Sequence, residues 1–75
     1  MTAAWLSQPD GCYLRVSDCG HAHLIPNLDG SWRARVWIDR VGLLRKQKCV
    51  SLHSAKLFAS RLLAAEHALI EEHNR

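Results

Sequence analysis

The sequence predicts a small α+β domain in the order β-β-β-β-α, an antiparallel sheet of three to four strands backed by one C-terminal α-helix. Three observations predict it. Residues 31–39 alternate between two sets, apolar Trp32, Ala34, Val36 and Ile38 against Arg33, Arg35 and Trp37, the period of a strand with one buried face. Residues 51–75 hold no glycine or proline and repeat apolar residues at spacings of three and four, the period of an amphipathic helix. Turn signals punctuate the first half: Pro9-Asp10-Gly11, Asp18-Cys19-Gly20, Asn27-Leu28-Asp29-Gly30 and Arg40-Val41-Gly42.

Residues 1–10 read as a loose N-terminal segment, with Trp5 and Leu6 able to tuck back onto a single domain over residues 11–75. A first strand fits Cys12–Ser17, where Leu14 and Val16 face one way and Tyr13, Arg15 and Ser17 the other. Gly20 is read as the positive-φ residue of the hairpin that follows. A second strand fits His21–Ile25, closed by Pro26. The third, Ser31–Asp39, places Trp32, Ala34, Val36 and Ile38 on one side and Arg33, Arg35 and Trp37 on the other. Leu43–Val50 returns as the fourth; its alternation is less regular and leaves its register open. Ser51 then opens the helix, since a serine hydroxyl can accept from a first-turn amide. The expected apolar stripe is Ala55, Phe58, Ala59, Leu62, Ala65 and Leu69, with Leu63 and Ile70 to its side, and the helix runs to about Glu72. That is roughly 30 Å, longer than so small a sheet covers, so its last turns are expected to overhang.

Charge is unevenly placed. Residues 1–32 carry −2, residues 33–61 carry +7 from eight cations against Asp39 alone, and residues 62–75 carry −2, giving +3 in total. A basic middle third attracts polyanions in a salt-dependent way. No stretch approaches the roughly 20 apolar residues of a membrane span, and no basic, apolar leader opens the chain. Cys12, Cys19 and Cys49 are an odd number, which fits reduced thiols and a cytoplasmic location better than a disulfide framework.

With the helix over Trp32, Ala34, Val36 and Ile38, the opposite face is expected to carry Tyr13, Arg15, His21, His23, Arg33, Arg35 and Trp37. Arginine forks match phosphate oxygens, and rings stack on bases or sugars, so cations beside an indole on an uncovered face point to nucleic acid, with DNA favoured. The expected binding set is Arg33, Arg35, Trp37, Arg45, Lys46, Lys48, Arg15 and Tyr13.

The run Gly30-Ser31-Trp32-Arg33-Ala34-Arg35-Val36, followed by a turn, a basic strand, and Ser51 and Ala55 opening a helix, resembles the arm-type, AP2-like DNA-binding domain of phage tyrosine recombinases over about residues 30–65. The resemblance implies a sheet laid in the major groove with one helix behind it. It implies Arg33, Arg35 and Trp37, with Arg45, Lys46 and Lys48, as the DNA-facing set. No recombinase catalytic domain follows these residues, so integrase activity is not expected.

Other chemistries are weaker in the sequence. Cys12, Cys19, His21 and His23 share one hairpin and are zinc-ligand types, but the Cys12-to-Cys19 gap exceeds the usual knuckle and no metal is expected. Cys49 with His53, or Cys19 with His21, could pair a thiolate with an imidazole, yet neither has a third orienting group. No cofactor and no enzymatic activity are expected. The alternative to DNA is a partner protein or a homodimer, through the helix end or through exposed Trp37 and Tyr13.

Overall fold

The computed structural model describes residues 5–73, so Met1–Ala4 of the expected lead-in and the last two residues of the domain lie outside the described residues. Five antiparallel strands and one helix follow in order: β1 (Leu6–Ser7), β2 (Tyr13–Ser17), β3 (Gly20–Pro26), β4 (Trp32–Ile38), β5 (Leu43–Cys49) and α1 (Leu52–His73). The sheet is a meander, each strand beside its sequence neighbours, with β1 and β5 at the edges. One more strand is present than the turn signals predict. Leu6 and Ser7 of the expected loose segment pair with Leu14 and Tyr13, and two residues are too few to show a period.

Local chemistry fixes the turns. Asp10 Oδ1 accepts from the Cys12 amide at 3.0 Å, and Gly11 takes φ 89° between β1 and β2. Asp29 Oδ1 accepts from the Ser31 amide at 2.9 Å, and Gly30 takes φ 88° between β3 and β4. Gly42, at φ 61°, closes β4 to β5. Gly20 serves differently from the expectation. Its φ is not positive; it is the first residue of β3, and a Cβ there would fall onto the Trp37 carbonyl oxygen and within 3.3 Å of the Ile38 Cα. Glycine is needed for close approach of neighbouring backbone.

α1 begins where the sequence places it. Ser51 Oγ accepts from the Ser54 amide at 3.1 Å, a side-chain N-cap, and Ser51 O accepts from the Ala55 amide. The helix covers β4 and β3, and the core between them joins Ala22, Leu24, Ala34, Val36 and Ile38 of the sheet to Ala55, Ala59 and Leu63 of the helix. Four of these are alanines with no accessible surface, which lets the helix lie close to the sheet. Trp5, Tyr13, Trp32, Phe58 and Leu62 pack around the rim.

The buried column of α1 is therefore Ala55–Ala59–Leu63, not the expected line through Ala65 and Leu69. Leu63 is buried, while Ala65 is exposed and Leu69 is 49% exposed. The side chain of Ile70 is outside the described set. Ala65 lies two residues past Leu63, about 200° round the helix, and so faces away from the sheet. Leu69 lies in the overhang, because the helix spans about 33 Å at 1.5 Å per residue and five strands span about 20 Å across. The molecule measures 45 × 22 × 19 Å. Cys19, in the β2–β3 turn, donates from Sγ to the Leu63 carbonyl at 3.3 Å, and Arg40 pairs with Glu66 at 3.0 Å. No helix among the described residues is long and apolar enough to cross a membrane.

Candidate functional site

The register decides which side chains share the uncovered face. Every second pairing of β3 with β4 sets a buried position against a buried one: Ala22 against Val36 and Leu24 against Ala34. The alternate positions form three rows on the other side. One row runs Leu14, His23, Arg35, Lys46 across β2 to β5; the next runs Val16, His21, Trp37, Leu44; a shorter one runs Ile25, Arg33, Lys48. Of the expected site residues, Arg33, Arg35, Trp37, Lys46 and Lys48 are brought together here, with His21 and His23 beside them.

Three are not. Tyr13 and Arg15 lie opposite Leu24 and Ala22, so they turn toward the helix side, and Leu14 and Val16 take the open side instead. Arg15 donates from a terminal nitrogen to Ser60 Oγ at 2.8 Å and lies 5.8 Å from the Trp5 ring centre. Its Nε is buried with no hydrogen-bond partner in the structure. Tyr13 packs its ring 5.9 Å from that of Trp32, with Lys56 Nζ 4.8 Å from its centre. The two-residue turn at Asp18-Cys19 sets Ser17 opposite Gly20, and this register places Tyr13 and Arg15 at the helix margin. Arg45 likewise opposes Val36, so it belongs to the helix side of β5, at an edge that α1 leaves exposed.

The electrostatics of the remaining face are unusual. Arg33 lies directly opposite Lys48, and Arg35 directly opposite Lys46. Neighbouring strands are about 4.8 Å apart and alternate residues along a strand about 7 Å, so four cations occupy one compact block. Like charges in register across strands destabilise a sheet. One carboxylate answers them among the described residues: Asp29 Oδ2 accepts from Lys48 Nζ at 3.2 Å. The Ser31 hydroxyl and amide, with Lys48, hold the Asp29 carboxyl well below the usual carboxylate range.

Beside this block the face is concave. A hollow of about 580 Å³ opens over Leu14, His21, His23, Trp37 and Leu44, with Arg35 on one flank and Gln8 and Asp10 of the β1–β2 turn on the other. Trp37 is half-buried in it without a covering element. The Cys12 amide holds the Asp10 carboxyl below its ordinary value, with a smaller contribution from His23 nearby. Sequence reasoning missed Leu14, Leu44, Gln8 and Asp10. Only the pairing of Leu14 with His23 and of Leu44 with Trp37 reveals the first two, and it is a property of register.

The cysteine and histidine set does not converge. His21 and His23 stand on the open face, Cys19 is tied under the helix, and Cys12 is buried at the start of β2. Among the described residues no three His, Cys, Asp or Glu side chains are placed to hold a metal ion. All three thiols are free and buried. Burial pushes the Cys12 and Cys49 thiols up, away from the thiolate a nucleophile needs. Comparison with protein-family models, with curated proteins and with solved structures returns no match.

Proposed function

We propose that this chain is a small non-catalytic DNA-binding or DNA-accessory module that docks through its open sheet face. The observation that carries the reading is the pair of like-charge ladders, Arg33 with Lys48 and Arg35 with Lys46, beside an uncovered Trp37. Four cations set against one another cost folding energy in the free protein, and a polyanion relieves that repulsion on contact. The resemblance of residues 30–65 to arm-type recombinase domains, in which three strands lie in the major groove with one helix behind them, supports the same reading, although this sheet has five strands. The proposed contact set is Arg33, Arg35, Trp37, Lys46 and Lys48. Arg15 and Tyr13, turned to the helix, and Arg45, on the helix side of the edge, are left out of it. Three reduced thiols suit a reducing compartment, so the proposal places the protein in the cytoplasm.

Titration with duplex DNA at low salt tests it. Amides of β3, β4 and β5 shift, and Arg33→Ala and Arg35→Ala each weaken binding and reduce its salt slope by about 1, with the helical circular dichroism unchanged. Absence of any shift on these strands sinks the reading.

A second reading is a homodimer, favoured by one observation. A groove of about 580 Å³ between β5 and α1 is lined by Val50, Leu57, Phe58 and Leu62, and Val50 is 85% exposed. Sedimentation that returns a monomer at high protein concentration removes this reading.

A further inference from the structure

We propose that the hollow over Trp37 takes one unpaired nucleobase carried on a DNA strand, with the adjoining phosphates lying on the Arg35–Lys46 pair; this rests on the docking reading above and names the DNA it prefers. Three features of the face carry it.

The first is shape. Phosphates need only a charged surface, yet Trp37 stands in a hollow of about 580 Å³, room for a purine or pyrimidine ring to enter. In a closed duplex the flat faces of the bases are stacked on one another, so an indole set below the rim could not reach them. A base displaced from the stack offers its π-face, and aromatic side chains bind it there whatever its identity.

The second is the polarity of the walls. The row Leu14, His23, Arg35, Lys46 runs from an apolar wall to a cationic flank, and the Asp10 carboxylate with the Gln8 amide stands at the opposite rim. A carboxylate repels phosphate, so the phosphates are held to the Arg35 side. The Asp10 oxygen not taken by the Cys12 amide, and the Gln8 amide oxygen, whose nitrogen donates to the Leu6 carbonyl, are left to meet the hydrogen-bonding edge of a base. His21, directly opposite Trp37, adds a second ring to the floor.

The third is extent. Cations continue past the hollow to Arg33 and Lys48, one strand step beyond what a single nucleotide's phosphate would occupy. The surface therefore suits a polymer rather than a free nucleotide.

The test uses the full chain and three labelled duplexes of one sequence, read by fluorescence anisotropy at low salt. One is fully paired, one carries a single bulged thymidine, and one carries a bulged abasic site, which keeps the phosphates and removes only the base. The bulged thymidine duplex is expected to bind about ten-fold more tightly than the abasic one. Trp37→Ala is expected to bring the two within about two-fold, Trp37→Phe to restore most of the difference, and Arg35→Ala to weaken all three. Equal binding of the thymidine and abasic duplexes by the unaltered protein overturns the inference and leaves the docking reading standing; this comparison needs no variant to fold. A thymidine preference that survives Trp37→Ala in a folded protein also overturns it. Failure of all three duplexes to bind overturns both.

Discussion

On the face under α1, the central positions of β3 and β4 are Ala22, Leu24, Ala34, Val36 and Ile38, all buried and none charged. On the other face of the same two strands stand His21, His23, Arg33, Arg35 and Trp37, and the neighbouring edge strand adds Lys46 and Lys48. The covered face holds the fold: small residues bring the helix close, and Leu24 and Val36 are among the largest side chains wholly removed from water. The open face works against it, because its cations oppose one another in register. Adjacent residues of one strand thus answer to different demands, and substitutions on the two sides should separate stability from binding.

The largest effect expected is from Leu24→Ala, at about 3 kcal/mol of lost stability, from the cavity left in a fully buried site. His23→Ala, one residue away on the open face, should change stability by about 0.5 kcal/mol or less. Urea denaturation of the two variants checks the contrast, and equal losses would break it. Lys46→Glu sharpens it further by moving two readouts in opposite directions. Replacing a like-charge pair with Arg35 by an opposite-charge pair should raise stability by up to about 1 kcal/mol. The same change should weaken duplex binding at low salt by more than about ten-fold. A variant that loses both stability and binding would mean that the ladder is not repulsive. The smallest effect is one of pH. The Asp29 carboxyl lies lower in the folded chain than its ordinary value of 3.8, so its contribution is complete above that pH and is lost on further acidification. The Ser31 amide resonance should move over that acid range, and Asp29→Asn should abolish the movement.

How much of this was legible varies by residue. The helix start was written in Ser51, since a capping hydroxyl acts within three residues. The faces of β4 were written in its own alternation. β2 was not legible in this way, because alternation separates two sets without saying which is covered. Leu14 and Val16 look like the buried set, but the short Asp18-Cys19 turn locks β2 to β3 in a register that sends them to the open side. Gly20 was misread because a turn and a tight strand crossing ask for the same residue, and only the position of the Trp37 carbonyl separates them. The hollow was illegible because four strands and a turn build it, and no single segment carries its outline.

The strand order leaves β5 with one side unpaired by any other strand. Such a border is a template on which a further chain can extend the sheet, and lysine and arginine are what guard it, since two like-charged borders cannot approach. Arg45, Lys46 and Lys48 supply that guard from both faces of one strand. Arg45, which takes no part in the proposed contact, thereby gains a role of its own: neutralising it together with Lys46 and Lys48 would remove the barrier to aggregation as well as the grip on a ligand.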